Sequence, residues 1–208
     1  MKLTIEGWDD GAPIPTKFAF GKIPAEGQFE TSDNVSPAIS WTNVPAGTQS
    51  FALICHDPDV PSSGEDVNIE GREVPASLPR VDFFHWVLVN IPESTRKLEE
   101  GVASNGITPK GKPAGTKAYG DAGLNSYTDW FAGDADMGGN YADYDGPCPP
   151  WNDSIIHHYH FTVYALDTDK INLPDNFTGP DALAAIKGHV LDQASYMGTY
   201  TMNRDLKA

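Results

Sequence analysis

The chain has 208 residues, with 29 acidic against 14 basic side chains and a formal net charge of -15. No Lys/Arg-rich stripe interrupts that balance, so nucleic acid and anionic membrane surfaces are excluded as favoured partners on electrostatic grounds. The 20 glycines and 17 prolines exceed the usual combined share of about 12% and favour short strands and ordered loops over long helices.

The N-terminus runs Met1-Lys2-Leu3-Thr4-Ile5-Glu6-Gly7 and reaches Asp9-Asp10 before a signal-peptide core can form, and no later stretch approaches transmembrane length. A soluble cytoplasmic protein is expected. No composition shift or polar linker divides the chain, so residues 1–208 are read as a single domain.

Strands are predicted at Phe18–Phe20, Ala38–Trp41, Ser50–Cys55 and Phe83–Ile91, each rich in aromatic or branched residues and bounded by Pro, Gly, Asn or Asp. Pro37, Pro45, Pro58 and Pro92 mark strand ends, because proline donates no ladder bond. Residues 61–80 read as a polar irregular segment. Residues 108–147 are glycine-rich yet carry Tyr119, Tyr127, Trp130, Phe131, Tyr141 and Tyr144, too many aromatics for a solvated linker. That loop is expected to fold over the surface and wall a site. Near the C-terminus, Pro180-Asp181 opens a predicted helix with Leu183, Ile186 and Val190 at near-helical spacing, weakened by Gly188. Successive strands without alternating helices predict an all-β-dominated antiparallel sandwich with long loops and a short C-terminal helix.

Polar clusters interrupt this apolar pattern. His56-Asp57-Pro58-Asp59 follows the apolar run Phe51–Cys55, and Gly146-Pro147-Cys148-Pro149-Pro150 precedes His157-His158-Tyr159-His160. Burying an unpaired polar group costs roughly 1–3 kcal/mol, so these side chains must pair or line a pocket. Strand alternation puts His157, Tyr159, Phe161 and Val163 on one face, and His158 and His160 on the other. It also places His85 with Phe83, Val87 and Val89 on an apolar face. Taken alone, His85 reads equally well as a core histidine bonded to a backbone carbonyl, and Asp57 as the anchor of an Asx-type turn. Cys55 and Cys148 are too few for a disulfide framework and are expected to be reduced interior thiols, close to each other in space.

Several segments carry a resemblance. Asp33-Asn34-Val35-Ser36-Pro37-Ala38-Ile39-Ser40-Trp41, Gly47 to Leu53, Asp57-Pro58-Asp59-Val60-Pro61, Phe84-His85-Trp86-Val87-Leu88-Val89-Asn90-Ile91-Pro92 and Gly146 to Pro150 followed by His157-x-Tyr159 resemble the phosphatidylethanolamine-binding protein family, also called Raf kinase inhibitor-like proteins, in its bacterial branch. The resemblance implies a β-sandwich with a small anion-accepting pocket at one end, formed by Asp57, His85, Gly146, Cys148, Pro149, His157 and Tyr159. It implies a non-catalytic binding protein for phosphorylated or carboxylated ligands such as phospholipid head groups, with no cofactor and no metal. In that reading imidazole N–H groups, a tyrosine hydroxyl and turn amides hold the anion. Kinase- or protease-inhibiting relatives imply an alternative, regulation of a protein partner through the pocket rim, and bacterial relatives imply a homodimer. Two departures stand out: a long segment between Asp59 and His85, and a 108–145 stretch longer and more aromatic than in animal members. A third reading makes Asp57, His85 and His157 a zinc or iron site or an acid/base pair for hydrolysis. Against it, the chain has no G-x-S-x-G, H-E-x-x-H, C-x-x-C or P-loop motif.

Overall fold

The computed structural model describes residues 1–206. Strands dominate: β1 (Lys2–Ile5), the short pair β2 (Gly21–Lys22) and β3 (Glu30–Thr31), β4 (Ile39–Thr42), the long β5 (Ser50–Pro61) and β6 (Arg80–Pro92), and β7 (Lys97–Leu98). After them come β8 (Gly115–Lys117), β9 (Gly120–Ala122), the short helix α1 (Tyr127–Trp130), β10 (His157–Leu166), α2 (Gly179–Ile186) and β11 (Val190–Tyr200). A six-stranded sheet ordered β11-β10-β5-β6-β9-β8 and a three-stranded sheet ordered β1-β4-β7 form the two layers. Every strand pairing in them is antiparallel.

The apolar run of β5 explains why the sandwich has a third cover. Phe51, Leu53 and Cys55 point into the core shared with Ile39 and Trp41 of β4, Trp86 and Leu88 of β6, and Phe161 and Val163 of β10. Ala52 and Ile54 point the other way, against Val87, Val89, Ala182 and Ile186, so α2 closes the outer face. A strand buried on both faces loses the polar alternation of a half-exposed one. Gly179 lets α2 sit this close, since a Cβ there would come within 2.2 Å of the Phe84 ring.

Four predicted details are corrected. Phe18–Phe20 is not a strand: Thr16–Phe18 forms a 3₁₀ turn after Pro15, with Ala19 N–H donating to the Thr16 carbonyl. Pro58 does not end β5, because a register shift between Asp57 and Val60 places it where the ladder asks for no donor. The C-terminal helix stops at Ile186, where Gly188 adopts φ 95° and turns the chain, so Val190 opens a strand rather than continuing the helix. That strand, β11, has low apolar contrast because it is an edge strand with several exposed residues, and its 11 residues were not predicted. The helix start carries the residues of a capping box, and the Asp181 carboxylate accepts from both the amide and the hydroxyl of Thr178, at 2.9 and 2.7 Å.

Candidate functional site

The ends of β5, β6 and β10 bring their polar residues to one cavity of about 270 Å³. Asp57, His85, Cys148, Pro149, His157 and Tyr159 line it, six of the seven residues singled out above. Gly146 does not. It lies behind the wall, where a Cβ would come within 2.0 Å of the Phe18 carbonyl oxygen, so only glycine lets these two backbone segments meet.

The floor is a chain of paired charges. Arg80 holds Asp153 with two hydrogen bonds of 2.6 and 3.0 Å. His157 Nε2 donates to Asp153 at 3.1 Å, and its Nδ1 donates to Asp57 at 2.6 Å. Burial opposes the charged ring, but hydrogen bonds and fields from Asp153 and Asp57 outweigh it and raise the His157 pKa to about 9. His157 is therefore an imidazolium at neutral pH with both N–H groups in use. The second oxygen of Asp57 accepts the Asp59 amide at 2.8 Å, the expected Asx turn. Two cations and two carboxylates cancel, so this chain offers an incoming anion no free charge.

His85 differs. Its Nδ1 lies 2.7 Å from the Asp145 carbonyl oxygen, and a carbonyl can only accept, so Nδ1 carries the proton and Nε2 keeps a lone pair. His85 is thus a core histidine bonded to a backbone carbonyl, as one sequence reading has it, and it also lines the cavity. Burial lowers its pKa to about 4 despite the field of Asp57 and the Asp145 bond. The rings of Phe83, Tyr127 and Tyr159 box it at centroid distances of 5.0, 5.7 and 5.1 Å. Behind it the Asp145 carboxylate accepts from Asn34 and Asn125, each at 2.8 Å, and from Lys112 at 3.2 Å. The Asp145 amide donates back to the His85 carbonyl, which fixes loop and strand together.

The expected set of anion donors is corrected accordingly. His157 has no N–H to spare, and the Gly146 amide is taken by Asn34 Oδ1 at 2.8 Å. In the run Gly146–Pro150, the Cys148 amide is the one left without an acceptor among the described residues. Burial pushes the Cys148 thiol up to about 12, so it is a neutral wall group. Cys55 lies inside the sheet, and both thiols are free.

Phe20, Phe83, Tyr127, Trp130, Phe131 and Trp151 form the remaining walls. Three of these come from the aromatic stretch of 108–147. The long polar segment also reaches the site, through Gly64, Val67 and Asn68. The supporting residues Arg80, Asp145 and Asp153 were not anticipated; the only sequence sign was the i,i+4 spacing of Asp153 and His157. The metal reading fares poorly on donor chemistry, since His157 has no lone pair to give and no group of three or more His, Cys, Asp or Glu side chains is arranged for a metal among the described residues.

The two site histidines give stability a pH optimum. His157 has its pKa raised by folding, so its contribution is complete below pH 6.5 and is lost as pH rises through 9. His85 has its pKa lowered, so its contribution is complete above pH 6.5 and is lost as pH falls toward 4. Unfolding free energy from denaturant titration should peak near pH 6.5. On the alkaline side it should fall by up to about 1.4 kcal/mol per pH unit. His157→Gln should flatten the alkaline limb; a wild-type profile already flat there would mean that His157 is not held as a cation.

Comparison with known proteins follows the same lines. A family model described as phosphatidylethanolamine-binding protein matches residues 4–201. An archaeal UPF0098 protein from Methanothermobacter thermautotrophicus is 33% identical over 200 residues, covering 96% of this chain and 98% of its own length. UPF0098 protein YbhB of Escherichia coli is 30% identical, covering 97% and 100%. Among solved structures, E. coli YbcL, described as a new member of the mammalian PEBP family, superposes with a TM-score of 0.66 at 28% identity, covering 96% of this chain and 97% of its own. A PEBP homologue from Chlamydia trachomatis gives 0.62 at 27% identity, covering 96% and 95%.

Proposed function

Because the chain belongs to the phosphatidylethanolamine-binding protein family, we propose that it is a ligand-binding protein whose cavity takes the phosphate or carboxylate end of a small molecule, and takes it together with a proton on His85. The observation that carries this reading is the bare Nε2 of His85 at a cavity whose other charges are mutually neutralised. A fully ionised oxygen facing that lone pair is repelled. The same oxygen facing a protonated Nε2 gains a charge-assisted hydrogen bond. The Cys148 amide supplies a further donor without charge, whereas the Tyr159 hydroxyl is directed to the Asp57 carboxylate.

The aromatic walls support a ligand with an apolar part beyond its acidic end. A cavity of about 270 Å³ exceeds the needs of a bare phosphate. Phe29 and Trp130, exposed by 50% and 51%, flank the opening. Those two exposed rings also favour a second reading, in which the rim docks a protein partner.

Nitrogen-15 NMR of labelled histidines during titration with O-phosphoethanolamine at pH 6.5 tests the pocket reading. His85 Nε2 should move from the range of a bare nitrogen to that of a protonated one, while both His157 nitrogens stay protonated throughout. Movement of His158 or His160 with His85 unchanged would place the ligand elsewhere.

A further inference from the structure

Four of the six imidazoles have their ring nitrogens engaged. His85 and His157 are described above, His158 pairs with Asp59 at 2.8 Å, and His189 pairs with Asp167 at 2.8 Å. The other two, His56 and His160, have no ring-nitrogen partner among the described residues, and they stand together. They are direct cross-strand partners on β5 and β10, with ring centroids 5.5 Å apart and planes inclined by 29°. Both are half-buried on the outer face of the sheet, opposite to the face that carries Asp57 and His157.

The register continues the row. His160 pairs with Met197 on β11, and since Tyr196 points into the core, Met197 shares the outer face with His160. Three adjacent strands therefore align imidazole, imidazole and thioether side by side, and directly opposed residues have Cβ atoms about 5 Å apart. On the far side of His56 the row is closed by the Phe84 ring, 6.0 Å away.

We propose that His56, His160 and Met197 form a binding site for a copper ion, and for Cu(I) above divalent metals. Two neutral nitrogens and a thioether suit a soft monovalent ion, whereas a divalent hard ion prefers carboxylate oxygens. No third His, Cys, Asp or Glu among the described residues is placed to complete a site of that kind. The net charge of -15 raises the local concentration of any cation.

Anaerobic titration with Cu(I) against bicinchoninate should give one ion per chain. His56→Gln and His160→Gln should each weaken it by at least about tenfold, no less than loss of an outer-shell partner does at other metal sites. Met197→Leu should weaken Cu(I) while leaving Cu(II) little changed. In the wild type, Cu(I) should shift the His56 and His160 ring signals and the Met197 methyl signal, a readout that needs no variant to fold. Unchanged affinity in either histidine variant would overturn the proposal. So would loss of binding on Cys148→Ser alone, which would put the ion beside the Cys148 and Met202 sulfurs, 3.9 Å apart.

Discussion

Replacing Asp153 by asparagine should lower the unfolding free energy by about 3–5 kcal/mol, the range for removing one partner of a buried charge pair. The new amide keeps one acceptor oxygen and turns the other into a donor: in either orientation Arg80 loses a bidentate partner, and with the NH2 in the place of Oδ2 His157 Nε2 loses its acceptor as well. Water compensates little, because Asp153 and His157 are enclosed and Arg80 is only 13% exposed. Denaturant titration checks this, and two features separate it from a packing defect. The penalty should vary little with salt, since buried pairs are weakly screened. It should also shrink above pH 9, where His157 has lost its charge in the wild type as well. A penalty below 1 kcal/mol would mean that the paired row is not what holds β5, β10 and the 150–156 turn together.

The second large effect falls on binding. His85→Leu keeps an apolar side chain among Phe83, Tyr127 and Tyr159 but removes the one proton-accepting nitrogen that faces the cavity. A hydrogen bond to a charged group contributes about 1.5–3 kcal/mol. Affinity for O-phosphoethanolamine should therefore fall roughly 10- to 150-fold. The same substitution frees the Asp145 carbonyl, so thermal stability must be measured alongside; a drop in affinity that merely tracks unfolding would not count in favour of the role assigned to His85. His157→Gln is the complementary variant. It should change stability and its pH profile more than affinity, because His157 spends both donors on Asp57 and Asp153.

The residues of the cavity were more legible in the sequence than their protonation states. Alternation along His157–Val163 assigned the correct face to every histidine of that strand, because a two-residue period needs no tertiary information. The same rule failed beyond His85: it grouped His85 with Val87 and Val89, but the register shift between Cys55 and His56 breaks the alternation, so His85 faces the cavity beside Phe83 while Val87 and Val89 lie under α2. What alternation does not carry is who donates to whom. Asp153 lies in a turn and Arg80 at the start of β6, 73 residues earlier, and their bond exists only once the polar segment 61–80 folds across. Without that partner, His157 looked like a free donor; with it, His157 is an interior ion. The helix at 179–186 was legible at its start, where Thr178, Pro180 and Asp181 form a local cap, and not at its end, where Gly188 turns the chain despite continued apolar spacing. β11 escaped notice because an edge strand needs few apolar residues: its ladder with β10 fixes it instead.

The central claim is that the acidic ligand enters with a proton on His85, and calorimetry tests it most directly. O-Phosphoethanolamine is titrated at pH 8, where a phosphate monoester with its second pKa near 6 is already dianionic, in two buffers of different ionisation enthalpy. The account predicts uptake of close to one proton per ligand bound, an affinity that falls about tenfold per pH unit between pH 7 and 8 as linkage requires, and loss of both in His85→Leu. Tight binding with no proton uptake, unchanged by that substitution, would contradict it.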